Sequence, residues 1–172
     1  MANIEKLVPM IFGAEGGFVD NIHDGGGATN MGVTLATWKS QGYDKNGDGV
    51  IDVADLKLLT HADVIAILRI YWNRWKADSI NNQSIANILV DWVWGSGSWG
   101  IKMPQLALHV IADGIVGEGT LNAINNGDQQ AVFTAIWNAR KMFIEKICLE
   151  HPDQQVFYNG WINRLNTFKF VA

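Results

Sequence analysis

The stretch Gln129–Leu149, QQAVFTAIWNARKMFIEKICL, decides the fold class. Val132, Phe133, Ile136, Trp137, Arg140, Phe143, Ile144 and Ile147 recur at steps of three and four, which places them on one face of a long helix. Pro152 cannot continue that helix and ends it. A last helix is expected from about Gln154 to Phe168.

Toward the N-terminus the same period returns. Thr120 reads as the cap of a short helix after the turn Asp113-Gly114-Ile115-Val116-Gly117, and Pro104 as the first turn of a helix toward Ile111. Ser84 to Trp94 carries the stripe Ile85, Ile88, Leu89 and Trp92, closed by Gly95-Ser96-Gly97. Thr60 with Asp63 forms a capping-box pattern that opens a helix to about Trp75. Its apolar side is Val64, Leu68, Tyr71, Trp72 and Trp75. Residues 34–41 read as a short helix opened by Thr34. Residues 4–15 read as a helix that is kinked, or begun, at Pro9. Residues 16–33 are a glycine-rich loop with room for a short hairpin, and 43–55 a polar loop rich in Asp and Gly. No convincing strand run and no fixed repeat appears, so the fold class is mainly α with little or no sheet.

Composition sets the outer limits. The 172 residues are 48% hydrophobic and 17% charged, enough to bury a core. The net charge of −4 offers no basic excess for phosphates, so nucleic acid is excluded as an expected partner. Cys148, the single cysteine, sits on an apolar helix end and reads as a buried, inert thiol. His23, His61, His109 and His151 are scattered without metal-site spacing, so no catalytic zinc is expected, and His61 reads as a surface residue. Hydrolase-elbow, P-loop and dinucleotide motifs are absent. Met1-Ala2-Asn3-Ile4-Glu5-Lys6 does not read as a signal peptide, and no run reaches membrane-spanning length. Synthesis in the cytoplasm without stable membrane insertion is the expectation.

Two constellations carry chemistry. Glu15 lies four positions after Ile11, on the apolar stripe and at the C-terminal end of the first helix. Lost solvation and the helix C-terminus both raise the pKa of such a carboxyl, which suits a general acid. The glycines that follow let a substrate approach and let Asp24 and Thr29 face Glu15 across a cleft. The bland alternative is a solvated glutamate at a frayed helix end beside an ordinary loop. His23, next to Asp24, is either a modulator or an exposed loop residue.

The second constellation is Asp44-Lys45-Asn46-Gly47-Asp48-Gly49-Val50-Ile51-Asp52-Val53-Ala54-Asp55. It follows the calcium-loop template, with Asp44, Asn46, Asp48, Asp52 and Asp55 as side-chain oxygens, the Val50 carbonyl at position seven and Gly49 at the sharp turn. Asp55 stands where glutamate is usual. The alternative is a set of Asx-turns. An occupied site would be a structural calcium, with no cofactor required for catalysis.

The residues from Glu15-Gly16-Gly17-Phe18 through Asp24-Gly25-Gly26-Gly27-Ala28-Thr29-Asn30-Met31-Gly32-Val33-Thr34 resemble the signature of glycoside hydrolase family 108, phage and bacterial N-acetylmuramidases with a lysozyme-like helical fold. The resemblance implies that Glu15 is catalytic. The spacing to Asp24 and Thr29 is also similar to the Glu, Asp and Thr arrangement of phage-type lysozymes, which implies that these two assist.

Residues 71–125 resemble the peptidoglycan-binding region that accompanies the family's catalytic segment. The matching pieces are Tyr71-Trp72, Val90-Asp91-Trp92-Val93-Trp94, Pro104-Gln105-Leu106 and Asp113-Gly114-Ile115-Val116-Gly117 with Thr120-Leu121. Where the family often has Asn-Ser-Gly, this chain has Gly95-Ser96-Gly97. The expected layout is a catalytic segment 1–80 and a binding region 81–172, packed as one compact unit.

Asp91 is expected either to face sugar or to be a satisfied structural carboxylate. Trp94 and Trp99 are candidate sugar contacts, and Trp72, Trp75 and Trp137 are expected in the core. The implied activity is hydrolysis of the β-1,4 bond between N-acetylmuramic acid and N-acetylglucosamine. It acts on glycan strands in the periplasm or outside the cell, with a holin-type partner for export. The alternative is a non-hydrolytic peptidoglycan-binding or secretion-accessory protein of the same fold.

Overall fold

The computed structural model describes residues 1–14, 17–19 and 27–172. Among them the protein is mainly α, and its strands form one two-stranded sheet. Internal packing divides the chain into two compact units, Glu5–Ile70 and Tyr71–Ala172 with Met1–Ile4.

The unit Glu5–Ile70 begins with α1 (Val8–Ala14), preceded by a 3-10 turn over Ile4–Lys6. The helix expected over 4–15 divides here because Pro9 is tolerated only in a first turn, where an N–H has no intrahelical partner anyway. Leu7 and Ile11 are buried. Strands β1 (Thr29–Asn30) and β2 (Val33–Thr34) pair antiparallel, Thr29 against Thr34 and Asn30 against Val33. Their two-residue turn needs positive φ twice; Met31 adopts 49° and Gly32 77°.

Thr34 then caps α2 (Leu35–Gln41), its side chain accepting from the Thr37 N–H. Gly42 ends α2 beside the Trp38 ring, where a Cβ would fall 2.3 Å from a ring carbon. Only glycine lets the backbone pass so close. Asp52 and Asp55 form a capping box on α3 (Val53–Lys57). The expected box of Thr60 and Asp63 opens α4 (His61–Arg74), whose residues from Tyr71 onward belong to the other unit.

In the second unit, Asn82 caps α5 (Gln83–Ser96), accepting from the Ser84 and Ile85 N–H groups. Every residue from Ser84 to Val93 is buried, so α5 is enclosed on all sides. It packs against α6 (Trp99–Ala107) and α8 (Gln129–Glu150). The α5–α6 approach is close: a Cβ on Gly100 would lie 2.4 Å from the Val93 backbone. Pro104 falls inside α6, not at its first turn as expected, because the helix already starts at Trp99 after Ser98. Thr120 likewise lies inside α7 (Glu118–Asn126), whose N-cap is Gly117. The last helix resolves into a 3-10 segment, Pro152–Phe157, and α9 (Tyr158–Thr167). Trp72 and Trp75 are fully buried, Trp137 is only half-buried, and Cys148 is buried as expected.

One carboxylate sits at the centre of this unit. Asp91 of α5 is 1% exposed. Arg140 of α8 donates Nη2–H to its Oδ2 at 2.7 Å, and Arg164 of α9 donates Nη2–H to its Oδ1 at 2.7 Å. Burial pushes the Asp91 carboxyl up, but the charges of Arg140 and Arg164 and their hydrogen bonds outweigh it and hold it below the usual carboxylate range. Removing the carboxylate leaves two guanidiniums facing each other, one of them buried. Asp91→Asn should therefore lower unfolding free energy in urea by about 3 kcal/mol or more, the scale for breaking a buried pair. An unchanged denaturation midpoint would show that the cluster does not hold these helices.

Candidate functional site

The family-like signature lies in the first unit. Glu15, Asp24 and His23 fall outside the described residues. Thr29, the third of the expected catalytic residues, is half-buried and fixed by its backbone. Val19 and Thr29 exchange both N–H···O bonds at 2.8 Å, and Thr29 also pairs with Thr34 in the hairpin. The Thr29 hydroxyl donates to the Gly27 carbonyl at 3.3 Å.

The next residue was missed by sequence reasoning. Asn30 is 5% exposed and donates Nδ2–H to the Leu56 carbonyl at 2.8 Å, tying the hairpin to α3. An amide at the inward position of a two-residue hairpin was the available signal. In this same unit Phe12 of α1 stacks on His61 of α4 at 4.2 Å between centroids. His61 is exposed, as expected.

Loop 44–55 brings the five expected oxygen-bearing side chains into one hydrogen-bonded knot. Asp44 accepts from the Gly47 and Gly49 N–H groups, both at 2.7 Å. Asp48 accepts from the Val50 N–H and the Asn46 amide, and Asp52 from the Ala54 N–H. Gly47 and Gly49 take φ of 80° and 90°, which lets the chain curl around these carboxylates. Asp55 is the fully buried member: Oδ1 accepts from Lys45 N (2.7 Å) and Asn46 N (3.0 Å), Oδ2 from Asp52 N (2.9 Å). The Asp52 N–H is the main reason its pKa lies below the ordinary value. Among the described residues no three carboxylates, imidazoles or thiols converge as a metal cage in this arrangement. Val50 is exposed.

The loop is joined to α4 by Asp63, which accepts from Lys45 Nζ at 2.7 Å and from the Tyr43 hydroxyl at 3.0 Å. Burial pushes its carboxyl up, but hydrogen bonds from Lys45, Thr60 and Tyr43 prevail and hold it far below the usual range. Trp38, Tyr43, Asp63 and Ile67 help line a small cavity of about 130 Å³ beside this pair.

In the second unit the three expected sugar contacts part company. Asp91 is 1% exposed and paired with both Arg140 and Arg164. Trp94 is half-buried, edge-on to Tyr71 at 5.2 Å. Trp99 is 54% exposed at the start of α6, with Phe143 beside it at 6.2 Å and Lys102 Nζ 6.0 Å from its ring centroid. It is the most exposed of the three.

The profile of glycosyl hydrolase 108 matches residues 8–97. That span covers more than half the chain and contains the whole signature. The chain belongs to glycosyl hydrolase family 108. A second profile, a predicted peptidoglycan domain, matches residues 99–166. The structure of Brucella abortus SagA is similar at 31% identity and a TM-score of 0.81, over 95% of this chain and 90% of that one. No curated protein matches the chain closely. The family 108 chain is thus a glycosidase whose substrate is the cell-wall peptidoglycan, acting beyond the cytoplasm. Among its described residues no helix is long and apolar enough to cross a membrane.

The depressed carboxyls set its acid behaviour. Asp55, Asp63 and Asp91 all have folded pKa values below their unfolded ones. Their stabilisation is complete above the unfolded value near ~4 and is lost as pH falls through the lower folded values. Melting temperature should be level from neutral pH to about 5 and then fall as acid is added. Asp63→Asn should melt lower than the parent at pH 7, and the gap should narrow toward pH 2. A gap independent of pH would refute the assignment of Asp63.

Proposed function

We propose that this family 108 enzyme is a muramidase that cuts the β-1,4 bond between N-acetylmuramic acid and N-acetylglucosamine, with Glu15 as general acid. The reading is carried by the match over residues 8–97, within which every element of the Glu15-to-Thr34 signature is present. Glycoside hydrolysis needs one protonated carboxyl at the leaving oxygen and a second polar group to steady the sugar cation or aim water. Glu15 takes the first role. Asp24 takes the second, and Thr29 helps hold the water. The two backbone hydrogen bonds between Thr29 and Val19 support that assignment, since they fix the backbone at the point where the hydroxyl would act. Trp99 offers its open face to the glycan. A holin-type partner would give the enzyme passage to the wall.

Glu15→Gln removes the proton donor while keeping the side chain's size. Purified Glu15→Gln should lose at least about a hundredfold of the rate at which cell-wall suspensions clear, the usual scale for general acid catalysis, with an unchanged melting temperature. Mass spectrometry of the parent's products should show reducing-end N-acetylmuramic acid. Equal clearing by both proteins, or none by either, would favour instead a non-hydrolytic wall-binding or secretion-accessory role.

We also assign loop 44–55 as a structural calcium loop, with Asp44, Asn46, Asp48, Asp52, Asp55 and the Val50 carbonyl as ligands. Its support is five oxygen side chains in the template's register, already curled into one turn. Calcium would enter by replacing part of the N–H contacts that these carboxylates now accept. Melting temperature should rise with millimolar calcium over that in chelator, and Asp48→Ala should abolish the rise. Identical midpoints in calcium and chelator would remove the assignment.

A further inference from the structure

The turn between α6 and α7 is built around Gln105, which is fully buried. Its Nε2 donates to Asp113 Oδ1 at 3.1 Å, the Ile115 carbonyl at 3.0 Å and Thr120 Oγ1 at 3.2 Å. Its Oε1 accepts from the Gly114 N–H at 2.9 Å. One side-chain amide thus fixes a whole turn. The Ile115 N–H adds a bond to Asp113 Oδ1 at 2.8 Å.

What the turn presents outward is unusual. Ile111 is 82% exposed and Ile115 70% exposed, although the segment carrying them is held rigidly. Two exposed aliphatics on one fixed turn offer apolar surface to a ligand. They border a cavity of about 380 Å³, which His109, Val110, Asp113 and Thr120 also line. That volume suits a small ligand group. His109, one of the lining residues, is in the left-handed region at φ 57°, which few non-glycine residues adopt.

The chemistry of the lining selects the guest. Asp113 is the one carboxylate of the wall. The Ile115 N–H and the Gln105 amide keep its carboxyl below the usual range, with the positive charge of Lys102 near enough to favour its ionised form, so it is anionic at neutral pH. Val110, Ile111 and Ile115 make the rest of the wall largely aliphatic, beside His109 and Thr120, and no Trp, Tyr or Phe ring is there for a pyranose to stack on. A cation at the end of a methylene chain fits such a wall: methylenes against Ile111 and Ile115, ammonium against Asp113. All lining residues fall within the peptidoglycan-domain match, residues 99–166. Peptidoglycan carries one group of that description, the diamino-acid side chain of its stem peptide.

We propose that this cavity binds the amine-bearing side chain of the stem peptide, so that the domain reads the peptide as well as the glycan. The proposal rests on peptidoglycan being the substrate, but not on Glu15 chemistry. The test uses the full chain, isotopically labelled, titrated with L-Ala-γ-D-Glu-L-Lys, its diaminopimelate counterpart and the ε-N-acetylated lysine peptide. Saturable shifts are expected at the amides of residues 109–120 with one or both amine-bearing peptides. Acetylation of the amine, or Asp113→Asn, should weaken binding at least about tenfold, the scale of one charge-assisted hydrogen bond.

Asp113 also holds the turn, so a second variant is needed. Ile111→Ser touches none of the Gln105 bonds and should weaken binding while leaving the melting temperature unchanged. No saturable shift with either amine-bearing peptide, or equal binding of the acetylated one, overturns the proposal. Reducing ends released from wall preparations are read separately. Peptide binding that survives in Glu15→Gln while no glycan is cut by the parent would defeat the muramidase reading alone.

Discussion

A carboxylate cannot be buried without partners, and in this protein that constraint fixes the arrangement of the larger unit. Asp91 sits in the middle of α5, a helix with no solvent face along most of its length. Its charge is tolerable only if α8 brings Arg140 and α9 brings Arg164 to it. Residues far apart in the chain must therefore converge before the helix can be enclosed. Apolar packing alone would accept many helix registers; two directional ion pairs on one carboxylate accept few. Gln105 repeats the device on a smaller scale, where one buried amide sets the course of the turn between α6 and α7.

The unit Glu5–Ile70 is ordered by a different means. Its helices are short, and much of its chain lies in loops, so carboxylates take over work that a larger core would do. Asp44, Asp52 and Asp55 accept backbone N–H groups that would otherwise lack partners, and Asp63 links the loop to α4. The hairpin is held in register by Thr29 and fastened to α3 by Asn30. A glycosidase needs its polar groups held on a rigid frame next to a segment that a sugar chain can approach. In the function proposed above, the short hairpin and its ties would supply that frame around Thr29. The peptidoglycan match lies wholly in the other unit, where Trp99 and the Gln105-built turn are exposed.

Much of this was legible in the sequence, for identifiable reasons. The 3.6-residue apolar period gave α4, α5 and α8, because a helix face must be buried wherever it ends up. Thr34 and the Thr60–Asp63 pair gave two helix starts, because capping is settled within four residues. The errors were also local in origin. Pro104 read as a helix start, yet α6 begins at Trp99, since the contact of Gly100 with the Val93 backbone lies outside any local pattern. The helix expected from Ser84 starts one residue earlier, at Gln83, because the side-chain carbonyl oxygen of Asn82 reaches the free N–H groups. Trp137 read as core from its place on the stripe and is half-buried.

The sequence by itself determined the mainly helical class, most helix spans, the glycosidase signature and the order of oxygen atoms in loop 44–55. Each of these depends on neighbours within a few residues, where spacing and chemistry suffice. Only the tertiary structure decided that Asp91 is the centre of two buried ion pairs, that Trp99 is more exposed than Trp94, and that Asn30 and Gln105 are the amides that tie segments together. Those facts depend on which distant side chain arrives at a given atom. Burial and pairing of that kind are properties of the packed chain, and no local pattern encodes them.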